Sequence, residues 1–383
     1  MRLAKSYLLS LCALAATMTV SCKKDVQVGK QTIPLVESIL SGDERYNLQL
    51  MGMYSEKSSE GAIAVVGTKS ECEIYCHKLL KSDFFDNIDG SSKPDALPDF
   101  AGEKIVAYMD QANSAFDGYA RKENTSLLRE ITVRDFLMAA DTACSIAAFD
   151  TLKMDKQPRA KIVILASPHM AEYGKFDVDT LTKSTKAFIN VISPIELVKK
   201  QAGFVGVITD KATSESGIYE KILGKRTSHS AVQSFECDST NVLKDFLERY
   251  RKNGGEKQID AIVMDADQFD PERLRMELKE IMLVQSESNV ACRKIISQDL
   301  KFITLSDLVA KECYRYLRDE NIFTHYIAEP SFAVYETIPV KGLDPLSYDS
   351  AQKFTDEYRY TRKNASDYTV VESAVSIDYY VSN

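Results

Sequence analysis

The sequence predicts an α/β protein made of two similar parallel-sheet domains that face a central cleft. Three observations predict it. Short apolar runs recur along the chain, and several are continuous, as in strands covered on both faces. Amphipathic stretches with helix-start signals lie between them. Two of the runs, Ile162-Val163-Ile164-Leu165-Ala166-Ser167 and Ala261-Ile262-Val263-Met264-Asp265-Ala266, echo one another and end in small or polar residues. Alternating strands and helices imply parallel sheets with right-handed crossovers. Two related halves around one cleft would leave such an echo.

In chain order, a short helix is expected around Pro34–Leu40, then strands at Ala62–Val66, Lys104–Met109 and Lys161–Ala166. Between the last two, Thr132-Val133-Arg134-Asp135 reads as a capping box. It would open a helix with Val133, Phe136, Leu137, Ala140, Cys144 and Ala147 on one face. Strands follow at Phe204–Thr209, Val232–Cys237, Ala261–Met264, Lys294–Ser297 and Phe302–Leu305. Ser239 or Thr240 precedes a helix carrying Val242, Leu243, Phe246, Leu247 and Tyr250. Asp270-Pro271 is an N-cap with proline in the first turn, and Leu305–Leu317 is a further helix. The expected organisation is a first domain over 46–195 completed by 300–383, and a second over 196–299.

Composition excludes several classes. The 383 residues are 44% hydrophobic and 27% charged, ordinary for a chain that buries a core, so disorder and coiled coil are set aside. A net charge of -8 without a basic cluster argues against nucleic acid as a partner. Tryptophan is absent, and the C-terminal tyrosines, Tyr335 to Tyr380, read as core or sheet surface rather than a stacking platform. Cys72, Cys76 and His77 are close in sequence, but no second pair has zinc spacing, so no metal or other cofactor is expected.

The leader is informative. Arg2 and Lys5 precede an apolar stretch, Leu8 to Val20, too short to be a good membrane span. It ends in Thr19-Val20-Ser21-Cys22 and resembles a bacterial lipoprotein signal, with Thr19 where leucine is usual. The resemblance implies a signal peptide over 1–21, lipidation of Cys22, a tether over 22–45 and export to a membrane, periplasmic or surface-facing. The lipid membrane is then a partner through Cys22. A plain secretory signal is the alternative, and a homodimer stays open.

Ligands in open α/β sheets bind beyond the carboxyl ends of strands. The residues there are Asp110, Asn113, Ser167, Pro168, His169, Thr209, Asp210, Ala212, Thr213, Asp265, Ala266 and Asp267. Such residues also serve as helix caps and turns. Four such sets at corresponding positions favour a shared cleft.

Phe204-Val205-Gly206-Val207-Ile208-Thr209-Asp210-Lys211-Ala212-Thr213, followed by Ser216-Gly217-Ile218-Tyr219, resembles a segment of the aspartate/glutamate racemase superfamily. Phe85-Asp86-Asn87-Ile88-Asp89-Gly90 resembles the family's first glycine-containing loop. Ile105 to Asn113, with Phe116-Asp117-Gly118-Tyr119, resembles its second strand and loop. The resemblance spans roughly residues 80–320 and implies a racemase-like fold, with Asp86 and Asn87 among the ligand-binding residues. In that family two thiolates, one from each half, act on the α-proton of an amino acid. The matching stretches here are Ala166-Ser167-Pro168-His169 and Asp265-Ala266-Asp267-Gln268. Both cysteines are replaced by alanine in that register; a one-residue slip puts Ser167 or Asp265 there.

The resemblance therefore implies a racemase-like lipoprotein that binds a small carboxylate or amino acid without cysteine-based racemisation. A type I periplasmic solute-binding lipoprotein shares the same coarse features. An isomerase or hydrolase using Asp86, His169 or Asp267 is the third reading, although no nucleophile elbow or phosphate loop is present.

Overall fold

The computed structural model describes residues 31–147, 150–201, 203–224, 230–234, 241–265, 270–326 and 328–373. From Ile33 onward they form one compact unit holding two sheets. The larger sheet contains β1 (Ala62–Gly67), β2 (Lys104–Met109), β3 (Ala143–Ala147), β4 (Asp150–Lys156), β5 (Ala160–Leu165) and β6 (Asn190–Ile192). The smaller contains β7 (Val205–Thr209), β8 (Ser230–Ser234), β9 (Ile259–Asp265) and β10 (Ile296–Thr304). The chain then returns to the larger sheet with β11 (Ser331–Pro339) and β12 (Tyr368–Glu372).

The larger sheet runs β4-β3-β12-β11-β2-β1-β5-β6 and the smaller runs β10-β9-β7-β8. All pairs from β11 through β6 are parallel, as are all pairs of the smaller sheet. In the larger sheet β1 lies between β2 and β5; in the smaller, β7 lies between β8 and β9. Each is a point where the winding changes direction, and such points open a crevice at the carboxyl ends of the strands.

Burial explains why these runs are strands. All six residues of β1 and of β5 are buried, which only a sheet covered on both faces permits. Ile63, Val65, Ile105, Ile162 and Ile164 point to one face and join a core with Val205, Val207 and Val263 of the smaller sheet. The Lys69–Lys81, Ile218–Gly224 and Leu305–Glu320 helices pack into that shared core. Ala64, Val66, Val106 and Val163 point the other way, under the Thr125–Ala140 and Pro168–Thr185 helices. Each buried Val, Leu or Ile contributes roughly 1.5–3 kcal/mol. The two sheets are thus held together by a continuous core, not only by a linker.

Some boundaries differ from the sequence reading. The helix expected to open at Thr132 starts at Thr125 and ends at Ala140. Thr132 lies in its interior, its hydroxyl donating to the Leu128 carbonyl at 2.8 Å. Asp135 is buried and accepts from the Tyr368 hydroxyl at 2.7 Å. Tertiary partners therefore hold the residues that resembled a cap. Cys144 belongs to β3, not to the helix. The two short strands expected near 294–305 are a single strand, β10, whose register slips between Ile296 and Lys301. Asp270 caps its helix as expected, accepting from the Glu272 amide at 2.9 Å, with Pro271 in the first turn.

Candidate functional site

The loops after the strands flanking the two switch points meet. β1 ends in Gly67, and Thr68 caps the Lys69–Lys81 helix. The cap is reciprocal: the Thr68 amide donates to Glu71 Oε2 at 2.8 Å and the Glu71 amide to Thr68 Oγ1 at 3.3 Å. A Cβ at Gly67 would stand 2.8 Å from Glu71 Oε2 and 3.0 Å from Ala166 Cβ, so glycine lets the carboxylate close against the end of β5. Ser167, buried, begins the Pro168–Thr185 helix, and its hydroxyl lies close enough to Glu71 to favour the charged carboxylate.

The smaller sheet supplies the facing groups. β7 ends in the buried Thr209, and Asp210 caps the Lys211–Glu215 helix through the Thr213 amide at 3.0 Å. Gly217, at φ +63°, takes the left-handed conformation that starts the next helix and brings Tyr219 inward. The Tyr219 hydroxyl donates to Asp265 Oδ2, at the end of β9, across 2.5 Å.

Burial and like charge set the protonation of this group. Desolvation pushes the Asp265 carboxyl up to about 8, with Glu71 and Asp210 adding repulsion and Tyr219 and Thr209 opposing it by hydrogen bonding. Glu71 keeps some surface, yet burial of its carboxylate raises it too, against hydrogen bonds from Thr68 and Ser167 and with Asp210 adding repulsion. Tyr219 is raised well above the usual phenol range by burial and by Asp265. A carboxyl near 8 is poised to give or take a proton close to neutrality.

His169 lies beside this group. Its Nε2 is 2.9 Å from Ser216 Oγ, and that hydroxyl donates to the Thr213 carbonyl at 2.6 Å. The hydroxyl proton is thus used, so Nε2–H is the donor. Burial lowers His169 to about 4, with Asp117 and Asp210 opposing. Pro168 fills the first helical turn, Ala212 is exposed, and Thr213 serves as a backbone donor to Asp210.

Other residues singled out by sequence lie elsewhere or are saturated. Asp86 and Asn87 sit between the end of the Lys69–Lys81 helix and the start of β2, at the amino end of the larger sheet. Asp86 Oδ1 accepts the Ile88 and Asp89 amides, and Asn87 Nδ2 donates to the Pro98 carbonyl. The structure does not bring them to the strand ends where Glu71 and Asp265 meet. Asp110 borders the site, its amide donating to the Gly67 carbonyl at 2.8 Å. Its carboxylate already accepts from Thr337 Oγ1 at 2.6 Å and from the Asn113 amide and Nδ2. Arg362 donates to Asn113 Oδ1. Ala266, Asp267 and Cys22 lie outside the described residues.

No described cysteine stands at either strand end. Cys72 follows Glu71 directly, but its thiol points into the core toward the Val65 and Tyr108 carbonyls, each at 3.5 Å. Burial drives it well above the usual thiol range, as it raises Cys76 and Cys313. Among the described residues, no three His, Cys, Asp or Glu side chains are grouped to hold a metal ion, and no helix is long and apolar enough to cross a membrane.

Glu71 and Tyr219 were not chosen by the sequence reading as site residues. Glu71 carries a signal: Thr68-x-x-Glu71 directly after an apolar strand is a capping box at a βα turn. Tyr219 carries only its place after Ser216-Gly217.

No family model and no curated protein matches the chain. Solved structures with a similar backbone include a glutamate racemase isoform of Bacillus anthracis, at 15% identity and TM-score 0.41, covering 72% of this chain and 87% of that one. Another is a glutamate racemase of Francisella tularensis, in complex with D-glutamate, at 16% identity, TM-score 0.41 and coverage of 75% and 90%. A third is an aspartate racemase of Picrophilus torridus, at 12% identity, TM-score 0.33 and coverage of 69% and 99%. At these scores the likeness carries no functional weight.

Proposed function

We propose that this protein is a membrane-anchored, racemase-like α/β lipoprotein whose cleft binds a small amino acid or carboxylate without cysteine-based racemisation. The observation that carries the reading is the meeting of Ser167 and Glu71 with Asp210, Tyr219 and Asp265 at the two switch points, where no described thiol is present. Three carboxyl groups would repel a plain dicarboxylate, so within that class the cleft favours a zwitterion. An ammonium group suits Glu71, Asp210 and Asp265, while the first turn of the Pro168–Thr185 helix offers backbone N–H groups to a carboxylate. The anchor at Cys22, and with it export to a membrane, belongs to the same proposal and rests on the leader sequence.

A second reading is favoured by Asp265 alone. A carboxyl near 8 beside a second raised carboxyl can hold one proton between them, the state in which one acts as base and the other as acid. The ionised member of the pair would take the α-proton, the C–H electron pair passing toward the ligand carboxyl, and the protonated member would return a proton to the carbon.

The two readings separate by NMR in heavy water, with residues 23–383 and a panel of amino acids. Selective line broadening without loss of the α-proton supports binding alone. Loss of the α-proton that disappears in Asp265→Asn supports the isomerase. Neither signal with any amino acid or small carboxylate sinks both.

A further inference from the structure

We infer that Tyr219 is a positioning residue: its hydroxyl holds the Asp265 carboxyl in place and favours its charged form. The inference deepens the isomerase reading, on which its catalytic meaning rests, although the hydrogen bond itself does not depend on that reading.

The geometry is specific. Tyr219 is 1% exposed, and its ring lies in the core shared by the two sheets, so the ring cannot swing away without opening that core. Its hydroxyl reaches Asp265 Oδ2 at 2.5 Å. A phenol has one proton, and burial keeps Tyr219 protonated far above neutral pH, so it is a permanent donor toward this carboxylate.

The groups facing Asp265 make the donor consequential. Glu71 comes from the helix after β1 and Asp210 from the loop after β7; both are acidic and both oppose ionisation of Asp265. Thr209 gives a second, weaker compensation from β7, and Tyr75 faces Tyr219 from the Lys69–Lys81 helix. Of the influences on Asp265 that favour the charged form, the Tyr219 hydrogen bond is the largest.

Position matters as well as charge. β9 delivers Asp265 by its backbone, but a carboxyl at a strand end can rotate about its side-chain torsions. The Tyr219 donor on Oδ2, with Thr209 as the second hydrogen-bonding group, restrains how the carboxyl is presented. The same side chain thus both restrains the carboxyl and favours its charged form.

The test follows the Asp265 carboxyl directly. The chain is labelled with 13Cγ-aspartate, the Asp265 resonance is assigned by its loss in Asp265→Asn, and its pH midpoint is read without any ligand. Tyr219→Phe keeps the ring and removes the donor; the midpoint should rise by about one pH unit or more, the value of a hydrogen bond to a charged group. 3-Fluorotyrosine at position 219, a more acidic phenol of almost the same shape, should move the midpoint down. Opposite shifts from the two replacements are beyond a purely structural role, and the fluorinated form covers the case in which Tyr219→Phe does not fold. An unchanged midpoint in either folded replacement, or shifts of the same sign, would overturn the inference. Heavy-water exchange on the same samples reports separately on the isomerase reading: no exchange in any form refutes that reading while leaving the titration to judge Tyr219.

Discussion

Replacing Asp265 by asparagine should change how stability depends on pH, and the sign follows from its environment. In the unfolded chain an aspartate titrates near the ordinary value of about 4. In the folded protein burial holds the group up at about 8. Between those values the native state keeps a proton that the unfolded state has lost. Stability due to this group is therefore fully present below pH 4 and is lost as pH rises toward 8. Each pH unit across the window costs about 1.4 kcal/mol, so the interval from pH 5 to pH 8 bears an upper bound of roughly 4 kcal/mol. Asparagine cannot ionise, is of nearly the same size, and can still accept from Tyr219. The assay is urea unfolding of wild type and Asp265→Asn at half-unit steps from pH 5 to 8.5. The mutant-minus-wild-type difference should move in the mutant's favour by roughly 2–4 kcal/mol as pH rises. Other raised carboxyls away from Asp265, including Glu103 and Asp135, contribute to both proteins and largely cancel in the difference. A flat difference, or one that moves against the mutant with rising pH, would refute the assignment of a buried, proton-holding Asp265.

His169 gives the opposite slope. Its folded value of about 4 lies below that of an unfolded histidine, so its contribution is lost as pH falls from about 6.5 toward 4; an NMR titration of the ring with a midpoint above 6 would contradict the buried Ser216 contact. Lys161→Met should cost about 3–5 kcal/mol in chemical denaturation, because Lys161 and Glu103 are only 4% and 0% exposed and Glu103 would be left buried and unpaired. Gly118→Ala places a Cβ inside the Tyr360 ring and should lower stability by about 1–3 kcal/mol, while an unchanged thermal midpoint would mean that the Asp117–Arg121 helix does not pack on that ring.

Much of the fold was legible because β1, β2, β5, β7 and β9 are buried on both faces. Such strands have to be continuous apolar runs, and such runs survive as a pattern in a single sequence. The strands that escaped notice have other causes. β11 and β12 follow an irregular return to the larger sheet, and β12 has only two buried residues, Val370 and Val371. β6 is three residues long. The false helix start at Thr132 arose because Thr, Ser and Asp signal a cap only when their side chains are free to turn to the backbone ahead. Here the hydroxyl of Thr132 turns back to Leu128 and the carboxyl of Asp135 meets Tyr368, more than two hundred residues away.

The site was legible as a place before it was legible as chemistry. Strand ends at switch points can be foreseen from the order of strands and helices, and Ser167, Thr209, Asp210 and Asp265 all lie there. Which of them matter depends on who faces whom across two sheets, and no periodicity records that. Glu71 illustrates the difference. Within its own helix it is an ordinary capping residue, bonded to Thr68. Its electrostatic role arises only because Gly67 admits it beside Ala166 and because the smaller sheet brings Asp210 and Asp265 near. Asp110 shows the converse. It stands at the end of a core strand and borders the same crevice, yet Thr337 and Asn113 from the surrounding segments use its carboxylate. A polar residue at a strand end becomes a candidate for chemistry only when the fold leaves part of its valence unspent and gives it a charge to contend with. Asp265, with one oxygen bonded to Tyr219 and two acidic neighbours, meets both conditions.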